Sequence, residues 1–332
     1  MSSRRSPLAL ALPLVLALVA APLAAQSVSD AVGAVLDRDR PDFLRFTKGE
    51  RVSALETCVR TYATEDDEIQ ISLVAAVHVA DADYYAGLKK VLAESDLVLF
   101  EGVRMDEGDE EDEILTLVDR LQRQMGRALG LSHQREALPT TGERFRRADL
   151  GSAAIKAELA KREIELIPGA GVLKILGPFV GSALKMLEPE EGEEPSPFKQ
   201  KVRDRLKLSL AKALGDGDAL YDALKTGDGR LRDEVIVGLR NAAAMKELDV
   251  VLKEGKAKRI AILYGAAHMP DFDERLRARF SGLRVSSESW RRAWRIGPPE
   301  PAAKPKAAKD AAEEKPAAPT EKKPDPSPRK KL

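Results

Sequence analysis

The sequence predicts an α+β fold: a β-sheet core contributed by the N- and C-terminal halves of the chain, with a long helical insertion between them. Two observations carry this. Runs rich in β-branched and apolar residues fall at 52–62, 69–77 and 97–100, and again at 258–263 and 283–289, the composition of largely buried strands. Between about 109 and 226 the apolar residues recur at helical spacing, broken by acidic and Pro-containing loops. With 332 residues, 43% of them hydrophobic, the chain is long enough to bury a proper core. It divides into a leader at 1–25, a folded domain at 26–297 and a tail at 298–332.

The leader has Arg4-Arg5, an apolar run from Leu8 to Leu23, and small residues at Ala24-Ala25. These are the n-region, h-region and cleavage site of a secretory signal, so the chain is expected to be exported to the periplasm or secreted, cut after Ala25. An uncleaved N-terminal anchor is the alternative, although Pro13 and Pro22 interrupt the run. The mature chain is expected to have no transmembrane segment. Cys58 is the single cysteine, so no internal disulfide can form, and its place in a strand marks it as a small buried residue. A formal net charge of +0, with no basic stripe interleaved with aromatics, argues against nucleic acid as a partner.

In chain order, 28–36 reads as a short amphipathic helix. Residues 52–62 form a first strand, joined by the polar turn Thr64-Glu65-Asp66-Asp67 to a second that runs into His78. Asp81 or Asp83 then caps a helix through Leu92, and the strand at 97–100 ends on Glu101. The acidic run at 106–113 reads as a solvated loop or helix start without the spacing of an EF-hand. Helices follow at 114–129 and 153–161, with His133 in the loop between them expected to be solvent-exposed. The apolar stretch 172–187 is too short and too interrupted by Gly177, Pro178 and Gly181 to span a bilayer, and reads as a buried helix or lid. Further helices are predicted at 198–214, 218–225 and 232–253. A buried strand at 258–263 ends on Tyr264-Gly265-Ala266-Ala267-His268, a helix follows at 272–280, and 283–289 with Trp290 and Trp294 closes the sheet. From Pro298 onward Pro, Ala, Lys and Glu dominate, a composition that predicts an unfolded tail.

Two strand ends match in outline. Leu73-Val74-Ala75-Ala76-Val77-His78 and Ile262-Leu263-Tyr264-Gly265-Ala266-Ala267-His268 each pass from an apolar strand through small residues to a histidine, then to acidic helix starts. Two such imidazoles with the carboxylate of Glu101 would make a 2-His-1-carboxylate set for a divalent ion, leaving positions open for water or substrate. A strand-end histidine bonded to a backbone carbonyl is the competing, purely structural reading.

The residues Val74-Ala75-Ala76-Val77-His78-Val79, Tyr84-Tyr85, Phe100-Glu101, Arg240-Asn241 with Met245, and Gly265-Ala266-Ala267-His268-Met269-Pro270 resemble the TraB/GumN family. That family includes the TIKI proteins and is distantly similar to erythromycin esterases and the ChaN haem-binding lipoproteins. The resemblance spans roughly 52–296 and departs at Ala75, where a glycine is typical. It implies a TIKI/erythromycin-esterase-like fold with a cleft, and a metal-dependent, peptidase-like hydrolase acting on an amide bond of a peptide or small molecule. It implies that His78, Glu101 and His268 bind the metal (Mn, Co or Zn), and that Arg240 and Asn241 hold substrate or an oxyanion, with Arg240 in a buried ion pair as the structural alternative. Asp149 falls at a position the family keeps polar, either lining the cleft or capping a helix. A non-catalytic envelope protein that uses the same cleft to bind a ligand or partner is the alternative function.

Overall fold

The centre of the fold is a strand that pairs along both edges. In the computed structural model, which describes residues 42–103, 113–164, 181–182, 184–188, 196–215 and 234–298, strand β2 (Ser53–Ala63) has β9 (Arg284–Ile296) along one edge. Its other edge is shared by β1 (Leu44–Thr47), opposite residues 54–57, and β3 (Gln70–Ala76), opposite residues 59–63. Beyond β3 the sheet continues through β8 (Arg259–Gly265) and β5 (Leu97–Phe100) to β7 (Phe145–Arg147), giving seven strands among the described residues. The pairs β3–β8, β8–β5 and β5–β7 are parallel and those of β2 antiparallel, so the fold combines helices with a mixed sheet, compatible with the α+β class that the sequence predicts. A separate two-stranded ladder joins β4 (Val79–Ala80) to β6 (Ser132–His133).

Helices cover both faces of the sheet, which is why the central strands read as unbroken apolar runs. Ile71, Leu73 and Ala75 of β3 and Ile260, Ile262 and Tyr264 of β8 pack on one side with Leu248 and Val251 of α5 (Arg240–Glu254) and with Phe272 and Leu276 of α6 (Met269–Arg279). The alternate residues, Val74, Ala76, Ala261 and Leu263, pack on the other with Tyr85, Leu88 and Leu92 of α1 (Ala82–Ala93) and with Leu206 and Leu210 of α4 (Pro197–Gly215). Helices α2 (Glu113–Leu129) and α3 (Ser152–Lys161) lie in the middle of the chain. Cys58 is fully buried in β2, as its strand position suggested.

The span expected as a helical insertion is not purely helical. It supplies β7, whose Phe145 packs edge-to-face on Phe100 of β5, and β6. Three residues are too few to show a period, so a loop was expected there. His133, expected at the surface, is 6% exposed, because β6 pairs with β4 and carries the ring inward. The carboxylate of Asp81 does not cap α1. It accepts from the Arg295 amide (2.6 Å) and faces the Lys207 ammonium (3.4 Å), tying α1, α4 and β9 together. The predicted leader, the helices at 28–36 and 218–225, the acidic run at 106–112, most of 172–187 and the tail lie outside the described residues. No helix among the described residues is long and apolar enough to cross a membrane.

Candidate functional site

Four parallel strands, β3, β8, β5 and β7, end on one edge of the sheet, the position at which open α/β sheets bind ligands. Glu101 follows β5 directly. Its Oε2 accepts from the Gly265 amide at the end of β8 (2.7 Å) and its Oε1 from Nη2 of Arg240 (2.8 Å). Gly265 is required for this close approach rather than for its backbone angle (φ −54°), since a Cβ there would stand 3.3 Å from Oε2. Burial works against the Glu101 charge, but His268, Arg240, His78 and the Gly265 amide outweigh it and hold its pKa at about 2.

Arg240 begins α5 immediately after a π-helical turn, Glu234–Leu239, a local irregularity often found at functional sites. The guanidinium is buried and grips Asp149 with two bonds, Nε to Oδ1 (2.9 Å) and Nη2 to Oδ2 (2.7 Å), while also reaching Glu101. Asp149 is fully enclosed and further accepts from the Gly102 and Leu150 amides, 2.9 and 2.8 Å away. Burial alone would lower the Arg240 pKa, yet the Asp149 bonds and the two carboxylate charges raise it. Two carboxylates share one guanidinium, so the trio carries a net negative charge.

His268 is turned inward by the 3-10 segment Ala266–His268 that links β8 to α6. Asn241 fixes its ring. The Asn241 amide nitrogen donates to the His268 carbonyl (3.0 Å) and to Asp271 (2.7 Å), which leaves Oδ1 facing Nδ1 of His268 at 2.7 Å as the acceptor. Nδ1 therefore carries the proton and Nε2 keeps its lone pair, 3.6 Å from Oε1 of Glu101 and 3.5 Å from Nη1 of Arg240. Burial pushes the His268 pKa down to about 4 against the pull of Glu101, so the ring is neutral at pH 7. Tyr264 stacks edge-to-face on the ring and hydrogen-bonds the Ala148 carbonyl.

His78 is placed differently. The motif puts Ala75 opposite Gly265, but the ladder pairs Ala76 with Gly265, and the chain then bends at His78 into β4 instead of coiling at once into a helix. Its side chain is exposed on the same edge, within electrostatic reach of both Glu101 and the buried His133. Strand β8 lies between β3 and β5, so His78 and Glu101 are offset by two strand spacings, about 10 Å. No group of three His, Cys, Asp or Glu side chains among the described residues is gathered for a metal ion. The donors nevertheless fit a divalent ion in kind. Nε2 of His268 is deprotonated and oriented from behind by Asn241, Oε1 of Glu101 lies at a separation that two ligands of one ion take, and the trio beneath is net negative.

The structure thus brings together Glu101, Arg240, Asn241 and His268, and leaves His78 at the rim. Asp149, which the sequence left undecided between cleft and cap, belongs to the site through Arg240, and α3 begins without a side-chain cap. The role of the Gly265 amide carried no sequence signal beyond the glycine itself. Comparison with protein-family models, with curated proteins and with solved structures finds no match for this chain.

Proposed function

We propose that this chain is an exported, TraB/GumN-like hydrolase of amide bonds, peptidase-like and metal-dependent, with a TIKI-like arrangement of strand-end residues. The observation that carries the reading is the His268 imidazole, held neutral with its Nε2 lone pair turned towards an ionised carboxylate and a buried guanidinium, at the carboxyl ends of parallel strands. His268, Glu101 and His78 would hold the ion, which when bound supplies Lewis-acid polarisation of the amide carbonyl and a more acidic water. With the single Nε2 lone pair of His268 committed to the ion, the Glu101 carboxylate, whose Oε1 lies 3.6 Å from Nε2, is the group that would accept a proton of the attacking water. Nη1 of Arg240, whose nearest acceptors are both 3.5 Å away, donates to the oxygen that gains charge. Asn241 spends its amide on His268 and Asp271, so it is a positioning residue for the imidazole and not a substrate ligand.

The test is peptide hydrolysis by the purified full chain, stripped with a chelator and reloaded with Mn, Co or Zn. Release of new amino groups that depends on added metal is expected, with at least a hundredfold loss in His268→Ala and Glu101→Gln. Hydrolysis that is indifferent to both substitutions would remove the site from the reaction. Ligand binding that survives chelation, with no turnover, would instead make the protein a non-catalytic binder using the same cleft.

A further inference from the structure

Each strand-end histidine is followed three residues later by an aspartate, Asp81 after His78 and Asp271 after His268. Only the second pair is joined to the site. Asp81 is spent on the Arg295 amide and on Lys207, away from His78. Asp271, in the first turn of α6, reaches the residue behind the imidazole: its Oδ2 accepts from Nδ2 of Asn241 at 2.7 Å and from Nε of Arg275 at 2.6 Å. Arg275 in turn donates through Nη2 to the Gly238 carbonyl (3.1 Å), in the π-helical turn just before Arg240 and Asn241. The start of α6 is thus fastened to the start of α5 where Asn241 is fully buried. Both N–H groups of the Asn241 amide are spent, one on the His268 carbonyl (3.0 Å) and one on Asp271. Turning the amide over would set its oxygen against a carbonyl and a carboxylate, neither of which has a proton to give. It would also aim N–H groups at Nδ1, and the ring could accept there only with its own proton moved to Nε2. The other orientation of the amide is therefore the other tautomer of the ring.

We propose that Asp271 is a positioning residue of the site: through the Asn241 amide it keeps the His268 proton on Nδ1 and leaves Nε2 bare towards Glu101. The Asn241 amide makes three bonds, and two of them, to Nδ1 and to the carbonyl, go to His268 itself. Asp271 is the one partner that refers the pair to the rest of the fold. It is also the charged one, and a bond to an ionised acceptor is the stronger kind. Because a single oxygen, Oδ2, takes the bonds of both Asn241 and Arg275, the carbonyl oxygen of an asparagine could stand in for it. The consequence for a metal rests on the hydrolase reading above. A ring protonated on Nε2 has no lone pair to offer an ion there, and partners behind a metal-bound histidine are worth about ten- to a hundredfold in affinity.

The chain has three histidines, so their tautomers can be read one by one. In the metal-free full chain labelled with 15N-histidine, long-range proton–nitrogen correlation spectra at pH 7 show which ring nitrogen carries the proton. His268→Ala identifies the His268 signals by their loss. Parent His268 is expected to be protonated on Nδ1. In Asp271→Leu and Asp271→Ala roughly half of the rings or more should carry the proton on Nε2, because the amide is free to turn. Asp271→Asn should keep the parent form. So should Arg279→Gln, which breaks another ion pair between the same two helices, with Asp249 at 3.2 Å. Calorimetric titration with Co or Zn is expected to show binding about tenfold weaker or more in Asp271→Leu, and alike in the parent, Asp271→Asn and Arg279→Gln. A parent ring protonated on Nε2 overturns the proposal. So does a ring still protonated on Nδ1 in both Asp271→Leu and Asp271→Ala, even with stability lost, since Asp271 would then be an ordinary helix ion pair. A parent that binds no metal, or a shifted tautomer with unchanged metal affinity, counts against the metal-dependent hydrolase reading alone, and the tautomers still decide the role of Asp271.

Discussion

The charge balance of the site hangs on single atoms. Asp149 gives up both carboxylate oxygens to Arg240 and to two backbone amides, so replacing one of those oxygens by an NH2 group sets a donor against donors. Asp149→Asn is therefore expected to destabilise the fold by about 1–3 kcal/mol, read as a lower urea midpoint with an unchanged m-value. A midpoint within error of the parent would mean that Arg240 is held by Glu101 alone. Elsewhere the single thiol has no part in the chemistry. Burial pushes Cys58 up to about 12, and the group is enclosed in β2, so it behaves as a small hydrophobe.

Among the elements, the central parallel ladder is fastened at the end opposite the site by Asp96. This residue precedes β5 and accepts from the Lys258 and Arg259 amides at the start of β8, 3.0 and 2.8 Å away, and from the Arg259 guanidinium at 2.8 Å. Those bonds, the Arg259 side chain first, lower its pKa from 3.8 to about 2. A carboxyl with a depressed folded-state pKa contributes stability above its unfolded value and loses it as pH falls through the folded one. The contribution should be intact above pH 4 and fade between pH 4 and pH 2. Because the side chain is 32% exposed to water, solvent keeps the contribution small. Chemical denaturation of the parent and Asp96→Asn at pH 6 and pH 3 checks this: the difference between the two proteins should shrink at the lower pH. A difference independent of pH would assign the effect to packing instead of charge. The same element logic explains Asp81, which the sequence marks as a helix cap. Its carboxylate is taken by β9 and Lys207 because α1 starts directly under that strand.

On the scale of the whole molecule, the site exists only when distant parts of the chain meet. β8 enters between β3 and β5 after more than half of the described domain has been made, and it carries both Gly265 and His268 to Glu101. Without it β3 and β5 have no common partner, and the apolar residues that line both faces of the sheet stay exposed. A fragment ending at residue 233 is accordingly expected to show no cooperative unfolding transition, and adding back a fragment from 234 onward should restore one. A cooperative transition in the shorter fragment alone would show that β9 and β8 are dispensable to the core. Such long-range pairing also predicts slow folding relative to a helical domain of equal length.

The strands were legible because the hydrophobic pattern that makes them is local. The runs at 52–62, 69–77, 97–100 and 258–263 became β2, β3, β5 and β8, and 283–289 proved to be the front half of the longer β9. β1 and β7 escaped, being four and three residues long with no period to detect. At the site, Glu101 and His268 were legible as polar residues at strand ends, whereas Arg240 and Asn241 were marked only by the resemblance to the TraB/GumN family. Their division of labour was not. That Asn241 serves His268, that Asp149 clamps Arg240, and that His78 faces outward all depend on strand order and on a one-residue offset between two similar motifs. Residue types and local periodicity determined which groups stand at the carboxyl edge of the sheet. Only the tertiary structure decided which of them touch, because contact between strands is set by the packing of helices on both faces, which joins residues more than a hundred positions apart.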